Sequence, residues 1–343
     1  MTPTLEHEEI RIRRGPRSGL PLIVAVHSRA LGPAVGGCRL RRYDDWRGGL
    51  EDALRLSEAM TYKCAASGLD FGGGKSVIVL DGPEHATPAP ELRAAALADM
   101  GEFIASFDGT YRTGPDVGTS PADMAVLRRS TPYVHCLPEE HGGSGDSGGP
   151  TALGVLAALR AGVEHVFGAP SFTGRTAVVS GYGSVGARVA AGLAADGARV
   201  LVSDVDDTKR DAAQRAGFGW IGPEEALVTA ADILVPAAVG GVLTPDTAAR
   251  LAVRLVVGPA NNQLSDDTVA DALAAQGIVW VPDFVANAGG VVYTLGRESD
   301  GLDHESAVRR VEGIGDTVRL LLKSGNPLRE AKERAVERCS AAR

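Results

Sequence analysis

The stretch TAVVSGYGSVGARVAAGLAADGARVLVSD, residues 176–204, decides the fold. An apolar strand, TAVVS, runs directly into a G-x-G-x-x-G pattern, which opens an apolar helix and leads to a second strand. In such a β-α-β unit the glycines permit a tight turn and a close backbone approach to a pyrophosphate, whose charge the helix N-terminus stabilises. The pattern predicts a Rossmann domain with a dinucleotide site at the residues of the turn: Gly181, Gly183, Ser184, Val185 and Gly186.

An acidic residue at the end of the second strand bears on which dinucleotide binds. Asp204 would accept hydrogen bonds from the adenosine ribose hydroxyls and would repel a 2′-phosphate. Asp206 and Asp207 add negative charge, whereas Lys209 and Arg210 leave room for a phosphorylated ribose. The sequence therefore favours NAD, with NADP as the less favoured cofactor.

The rest of the chain predicts an α/β protein with two domains. Its 343 residues exceed the size that one hydrophobic core usually serves. From Thr151 onward short apolar strands alternate with helices, which is the pattern of a parallel, doubly wound sheet. Upstream, strand-like runs at 21–28 and 76–81 flank a helix over 46–60, and the glycine-rich stretch at 141–150 indicates a junction.

We predict the following domain boundaries from these patterns. Residues 1–140 form an N-terminal α/β domain for substrate binding, catalysis and oligomerisation, joined by a C-terminal helix at about 325–343. Residues 141–324 form the Rossmann domain. A cleft is expected between the two domains.

Charge and composition narrow the range of partners. The net charge is −8 and the isoelectric point about 5.5, so the protein's field repels nucleic acid and anionic membranes. Apolar runs stay well below the roughly 20 residues of a membrane-spanning helix, and the charged N-terminus lacks the apolar centre of a secretory signal. The four cysteines are scattered and show no metal-binding spacing. We predict a cytoplasmic protein without a metal, whose ligands are small molecules.

Two lysines are candidates for catalysis because lysine is rare in this chain. Only five of the 35 basic residues are lysines, and two of them, Lys63 and Lys75, lie in MTYKCAASGLDFGGGKSVIV at 60–79. Burial near another cation favours a neutral amine, so a lysine can serve as a base where an arginine stays charged. The three glycines before Lys75 indicate a close backbone approach to a ligand or another chain. Lys63 taken alone is typical of a helix surface.

An acidic residue and several amides complete the candidate site. Asp116, in TGPDVGT at the end of a predicted strand, can relay protons, although aspartate is also common in turns. The segments PANN at 259–262 and PDFVANAGG at 282–290 offer amides that suit a carboxylate or a nicotinamide amide. Asparagine is equally common in loops of this composition.

Seven motifs together resemble the glutamate/leucine/phenylalanine/valine dehydrogenase family, and they occur in the family's order. The match is closest to the phenylalanine dehydrogenase branch, particularly at YRTGPDVGTSPADM and PDFVANAGG. The motifs cover nearly the whole chain: LGPAVGGCR (31–39), MTYKCAASGLDFGGGKSV (60–77), TGPDVGT (113–119), GGSGDSGGPTALG (142–154), GYGSVG (181–186), GPANNQ (258–263) and PDFVANAGG (282–290).

The resemblance implies an NAD-dependent oxidative deamination of an L-amino acid to a 2-oxo acid and ammonia, carried out by a homo-oligomer. It implies that Lys75 activates the attacking water and that Asp116 exchanges protons with the departing amine. Lys63 would bind the substrate carboxylate, with Asn262 and the backbone at Gly36 and Gly37. Four further residues would contact the nicotinamide amide or lie beside its ribose: Thr151, Ala238, Gly240 and Asn261.

Positions that match the family's side-chain pocket predict an apolar substrate. They are Val35, Gly114, Val291 and Thr294, none of which could neutralise an acidic side chain. Gly114 stands where leucine dehydrogenases have alanine, and this leaves room for an aromatic ring. One methylene changes discrimination by only about 1–3 kcal/mol, so the preference can be broad. The hydroxyl of Thr294 leaves a hydroxyl-bearing or biosynthetic substrate open.

Three alternatives remain at this stage. The first is a leucine or valine preference within the same class of enzyme, and the second is a degenerate NAD-binding paralogue acting as a regulator, against which intact Lys63, Lys75 and Asp116 argue. The third is an NADP-linked reductase that runs only toward amination. Cys38 in place of the family's threonine and Pro259 in place of a small residue could alter the pocket wall or the stiffness of a loop.

Overall fold

The computed structural model describes residues 6–81 and 88–342 of the chain. They divide into two units: the first comprises the described residues of 6–146, Arg297–Gly301 and 333–342, and the second comprises Ser147–Gly296 and Leu302–Lys332. Residues 141–146, which the sequence prediction placed with the Rossmann domain, lie in the first unit. They are held there because the amide and hydroxyl of Ser144 donate to Glu298 at 2.7 and 2.6 Å.

A five-stranded sheet forms the first unit. Its strands are β1 (Glu9–Arg14), β2 (Pro21–Ser28), β3 (Ala34–Tyr43), β4 (Gly72–Asp81) and β5 (Tyr111–Pro115). They lie in the order β1-β2-β4-β3-β5, antiparallel at the first two pairings and parallel at the last two. Because both faces of the sheet are covered, β2 and β4 are almost wholly buried and read as continuous apolar or small-residue runs.

Helices cover the two faces of this sheet. They are α1 (Trp46–Ala66), α2 (Pro90–Ala105) and α3 (Pro121–Leu127). Ala53 of α1 packs on Val77 and Val79 on one face, and a larger core around Met100 of α2 fills the other. α3 begins at a capping box formed by Ser120 and Asp123.

The three glycines before Lys75 serve the packing of this unit. A Cβ on Gly73 would lie 2.2 Å from the amide nitrogen of Thr61 in α1, and one on Gly72 would lie 1.9 Å from the carbonyl oxygen of Ser28. The close approach that the sequence indicated is therefore to the chain's own backbone, within the described residues. These glycines let α1 and β2 approach the start of β4 closely enough to bury Lys75.

The second unit contains a six-stranded parallel sheet. Its strands are β6 (Thr176–Ser180), β7 (Arg199–Ser203), β8 (Gly219–Trp220), β9 (Ile233–Pro236), β10 (Leu255–Val256) and β11 (Val279–Trp280). Their order is β8-β7-β6-β9-β10-β11, the 3-2-1-4-5-6 arrangement of a Rossmann fold. Strand order reverses next to β6, and this point is where such folds bind nucleotides.

Helices alternate with these strands and continue to the end of the described chain. They are α4 (Gly148–Phe167), α5 (Ser184–Ala195), α6 (Arg210–Arg215), α7 (Pro245–Ala248), α8 (Thr268–Ala275), α9 (Asp283–Ala286), α10 (Gly289–Glu298), α11 (His304–Glu312), α12 (Ile314–Leu322) and α13 (Pro327–Ala341). Val178, Leu234 and Val256 from three central strands pack in one buried core with Leu273 of α8. The last part of α13 belongs to the first unit, where Arg338 donates to the carbonyl of Leu69 at 2.7 Å. No helix in the described part of the chain has the length and apolar character needed to cross a membrane.

Candidate active site

Lys75 and Asp116 form a buried ion pair in the first unit. The lysine lies on β4, on the face that carries Val77 and Val79, and is 5 % exposed. Its Nζ atom lies 2.7 Å from Oδ2 of Asp116, which follows directly after β5. Both residues singled out in the sequence as proton-transfer groups therefore touch each other, although 41 positions separate them.

A second cation shares the same carboxylate oxygen. The Nε atom of Arg39, on β3, donates to Oδ2 of Asp116 at 2.7 Å. Burial alone would raise the pKa of Asp116, but the charges of Lys75 and Arg39 and their hydrogen bonds outweigh it, so the pKa lies well below its usual range. Asp116 is thus an anion at every pH at which the protein would be assayed.

Arg39 is itself held by a second acid, Asp52 of α1. Its Nη1 atom donates to Oδ2 of Asp52 at 2.6 Å, and the hydroxyl of Tyr43 and the guanidinium of Arg55 donate to the same carboxylate, each at 2.6 Å. Burial would raise the pKa of Asp52, but these donors hold it below the usual value. This chain of contacts was not predicted from the sequence. Its only signal was an aspartate within the buried face of α1, since such a residue requires a partner.

Gly37 and Gly114 lie beside this network. They are register partners on β3 and β5, and a Cβ on Gly37 would lie 2.7 Å from Cβ of Asp116. Among the described atoms, the nearest neighbour of a Cβ on Gly114 would be the carbonyl oxygen of His135, at 3.9 Å.

Lys63 is half-buried and lies in the last turn of α1. The helix reaches this residue because it continues to Ala66, beyond the predicted end at residue 60.

The two departures from the family pattern lie one in each unit. Cys38 alternates with Gly37 and Arg39 on β3 and is buried in the opposite core, where burial raises the pKa of its thiol to about 12. Cys38 therefore does not alter the face that carries Lys75. Pro259 accepts a hydrogen bond on its carbonyl oxygen from Nδ2 of Asn287 at 3.1 Å, a contact that other residues could equally make.

The glycine-rich turn of the second unit joins β6 to α5. Gly181 has a φ of +118°, and a Cβ on Gly186 would lie 2.1 Å from its carbonyl oxygen, so both positions require glycine. No described atom lies within 4 Å of a Cβ placed on Gly183. Gly183 is the N-cap residue of α5, and Ser184 and Val185 form the first turn of that helix. The turn therefore has the shape that a pyrophosphate requires.

Asp204 is tied to the same turn. It follows β7 and accepts from the amide of Tyr182 at 2.8 Å, from the amide of Asp206 at 3.0 Å and from Nζ of Lys209 at 2.9 Å. Burial would raise its pKa, but these donors lower it, so the carboxylate is ionised. Lys209 offsets part of its charge, which weakens the electrostatic argument against a 2′-phosphate.

Amides of the two later motifs meet in the second unit. Nδ2 of Asn287 donates to Oδ1 of Asn261 at 2.8 Å, and the Asn287 Oδ1 atom is buried without a partner among the described residues. The amide of Gly241 donates to the carbonyl of Asn262 at 2.7 Å, and Gly240 lies against Asn261. Asn287 was not among the predicted site residues. Its motif, PDFVANAGG, was the signal that could have found it.

The remaining predicted residues also lie in the second unit. Ala238 lies against the glycine turn, since a Cβ on Gly181 would be 2.7 Å from its amide nitrogen. Thr151 is in the first turn of α4, and its Oγ1 atom would be 2.6 Å from a Cβ on Gly290. Val291 is half-buried on α10 and Thr294 is buried on the same helix. Their roles remain predictions.

One unit is a Rossmann domain whose second strand is followed by an aspartate, and the other is an α/β unit with a buried lysine–aspartate pair. This is the arrangement of a dehydrogenase that uses a nicotinamide dinucleotide. Residues 8–133 match the family model for the Glu/Leu/Phe/Val dehydrogenase dimerisation domain, and residues 205–295 match that for glutamate/leucine/phenylalanine/valine dehydrogenase. The chain belongs to the Glu/Leu/Phe/Val dehydrogenase family. It is an oxidoreductase that acts on the CH–NH2 group of amino acids.

Individual relatives agree with this assignment. The phenylalanine dehydrogenase of Caldalkalibacillus thermarum is 38% identical over 98% of this chain and 89% of its own length. The leucine dehydrogenase of Bacillus subtilis is 35% identical over 97% of this chain and 91% of its own. Among solved structures, L-tryptophan dehydrogenase from Nostoc punctiforme has a TM-score of 0.80 at 31% identity, covering 98% of this chain and 97% of that one. The resemblance found in the sequence is confirmed.

Proposed function

We propose that this protein catalyses the reversible, NAD-dependent oxidative deamination of an apolar L-amino acid, with an aromatic side chain favoured, to its 2-oxo acid and ammonia. The observation that carries the proposal is the buried contact of 2.7 Å between Nζ of Lys75 and Oδ2 of Asp116. Named relatives that act on phenylalanine, tryptophan and leucine support the choice of an apolar substrate.

The lysine is the group that can act as a base. Two cations share Oδ2 of Asp116, and Lys75 is the one that can release its proton, since a guanidinium stays charged. When bound, the dinucleotide supplies the nicotinamide ring that accepts the hydride from the substrate Cα. Lys75, once its ammonium has released a proton to solvent, takes a proton from the water that attacks the resulting iminium carbon. The water's oxygen bonds to that carbon while the electrons of the C=N π bond move to the nitrogen.

The main proposed role of Asp116 is electrostatic, and proton transfer is its second role. Its pKa is held well below the usual range, so it faces the substrate as an anion and stabilises the cationic ammonium and iminium groups. It can exchange a proton with the departing amine only when the lysine ammonium no longer neutralises it. Lys63, in the last turn of α1, is proposed to bind the substrate carboxylate.

The choice of NAD rests on Asp204, which is ionised and directly linked to the glycine turn. A carboxylate there accepts hydrogen bonds from a ribose diol and disfavours a phosphate. The ion pair with Lys209 makes the discrimination smaller than an unpaired carboxylate would. We therefore propose NAD as the preferred cofactor, with measurable use of NADP.

We also propose that the protein is a homo-oligomer. The first unit matches a domain model described as a dimerisation domain, and the structurally similar glutamate dehydrogenase from Thermus thermophilus, with a TM-score of 0.83 at 25% identity over 98% of this chain and 89% of that one, is hetero-hexameric. The cytoplasmic location predicted from the sequence stays a prediction.

The proposed function is tested by a substrate panel. Purified protein is incubated at alkaline pH with NAD or NADP and with L-phenylalanine, L-tryptophan, L-leucine, L-valine or L-glutamate, and the absorbance of the reduced cofactor is followed. We expect phenylalanine to exceed leucine, glutamate to be inert and NAD to exceed NADP. A leucine or valine preference would overturn the aromatic assignment alone. If no combination of amino acid and cofactor gives activity although the cofactor binds measurably, a regulatory paralogue would be favoured.

A second prediction concerns the size of the side-chain pocket. Gly114→Ala adds a methyl group that meets its nearest neighbour at 3.9 Å, so the fold accepts it while the space beside β5 shrinks. We expect the ratio of kcat/KM for phenylalanine to that for leucine to fall about tenfold or more, because one methyl group is worth about 1–3 kcal/mol in such pockets. An unchanged ratio, with an unchanged melting temperature, would show that Gly114 does not limit the substrate side chain.

A further inference from the structure

A polar cavity of about 520 Å³ lies in the first unit beside β5. All of its lining residues belong to that unit, and they include neither Lys75 nor Asp116. Arg112 of β5 forms one side, and the segment that carries Tyr133 and His135 forms another. This segment is hydrogen-bonded to β5, because the His135 amide donates to the carbonyl of Thr113 at 2.7 Å. The cavity wall is therefore part of the sheet's hydrogen-bonded framework.

Positive charge predominates in this cavity. Three arginines line it, namely Arg112, Arg128 and Arg297, against a single carboxylate, Glu298. Glu298 already accepts from the amide of Cys136 at 3.1 Å and from the amide and hydroxyl of Ser144. Its described hydrogen-bond donors are thus neutral groups of the wall, and it pairs with neither Arg112 nor Arg128.

Arg112 is the most informative of the three arginines. It is half-buried, its Nε atom is buried without an acceptor, and its side chain forms no hydrogen bond or ion pair with any residue at 6–81 or 88–342. Its one described contact is with the ring of Phe71, 5.9 Å from the guanidinium carbon. Removing a guanidinium from water without a carboxylate partner is unfavourable, and an anion that enters the cavity would offset that cost.

The other groups around Arg112 do not neutralise it. The guanidinium of Arg128 donates to the carbonyl of Pro132 and is exposed. His135 is 7 % exposed, and its Nε2 atom contacts Oγ of Ser299 at 3.1 Å. Burial lowers the pKa of His135, and Arg112 and Arg128 push it in the same direction against Glu298, so the ring is neutral. Neither Arg112 nor Arg128 thus pairs with a carboxylate of the described residues.

We propose that this cavity binds the oxyanion group of a small metabolite, a carboxylate or a phosphate, with Arg112 and Arg128 as its principal donors. Guanidinium groups bind both kinds of oxyanion in a bidentate manner. The volume lies within the range of about 300–1,000 Å³ typical of small-molecule sites, so it accommodates a metabolite rather than an isolated ion. The proposal is independent of the proposed reaction, because the cavity shares no residue with the lysine–aspartate pair.

The test is a titration of thermal stability at constant ionic strength in a zwitterionic buffer. Inorganic phosphate and citrate are the two probes, applied to the unmodified protein and to Arg112→Met, Arg128→Met and Arg47→Met. Arg47 is a matched control, since its side chain is 68% exposed and pairs with Asp45 outside the cavity. We expect a saturable rise in Tm with at least one probe, apparent affinity weakened about tenfold or more in the Arg112 and Arg128 variants, and no change in the control.

The outcomes separate the possible sources. A response to phosphate alone assigns a phosphorylated ligand, and a response to citrate alone assigns a carboxylate ligand. Phosphate also binds at glycine-rich turns, so only the part of the shift that depends on Arg112 or Arg128 counts. The absence of a saturable shift, or a shift that both variants retain, would overturn the proposal. If Arg112→Met does not fold, the exposed Arg128 carries the same test.

Discussion

Lys75→Met is expected to lower kcat for amino-acid oxidation by about 10³-fold or more, since a positioned general base contributes about 10²–10⁴-fold and methionine cannot accept a proton. The substitution retains a side chain of similar length in a position that is 5 % exposed, so a large cavity is not created. Asp116 keeps its contact with Arg39 at 2.7 Å, which prevents an uncompensated buried carboxylate. The loss should therefore be catalytic rather than structural.

The measurement is steady-state oxidation of the best substrate from the panel, with cofactor binding followed separately by fluorescence. Lys323→Met is the matched control, because Lys323 is an exposed lysine at the end of α12. We expect the control to match the unmodified protein in kcat, KM and melting temperature. If the Lys75 variant retains more than about a tenth of the original kcat, Lys75 is not the general base, since a general base contributes about 10²–10⁴-fold.

The second large effect is expected at the dinucleotide turn. Gly183→Val should weaken the binding of NAD by about a hundredfold, because its side chain would occupy the space into which the pyrophosphate must fit. Gly183 has φ −90° and ψ −167°, an extended conformation open to any residue, and no described atom lies within 4 Å of a Cβ there. The melting temperature without cofactor should stay close to that of the unmodified protein.

Gly186→Ala provides the contrast that makes this test sharp. A Cβ there would lie 2.1 Å from the carbonyl oxygen of Gly181, so the turn and α5 must shift and the protein should melt at a lower temperature even without cofactor. The two variants therefore separate blocked binding from a disrupted fold. Unchanged NAD affinity in Gly183→Val would show that the dinucleotide does not pass over this turn.

Local patterns predicted the Rossmann unit well. The strands at 176–180 and 199–203, the glycine turn and the helix from Ser184 all lie where the sequence placed them, because a β-α-β unit is contiguous and each part carries its own signal. The pattern was less informative for α1, which continues to Ala66. The helix ends at a local signal: Gly68 adopts a φ of +70°, and the amide of Leu69 donates to the carbonyl of Cys64 at 3.0 Å.

The sequence predicted only some of the charged residues of the site. Lys75 and Asp116 were identified from the rarity of lysine, from a glycine run and from resemblance, whereas Arg39 and Asp52 were not. Nothing in the order of the residues shows that β3 lies between β4 and β5. That arrangement brings Arg39 to within 2.7 Å of an aspartate 77 positions away.

By itself, the sequence determined the class of fold, the turn that suits a dinucleotide and the acid at the end of β7, since all of these depend on neighbours in the chain. The tertiary structure alone decided which charges share one carboxylate, which glycines serve packing, and which arginines of the cavity were left without a carboxylate partner among the described residues. The physical reason is that strand order and burial arise from contacts between distant segments. Charge pairing in a buried site follows from that order and not from local pattern.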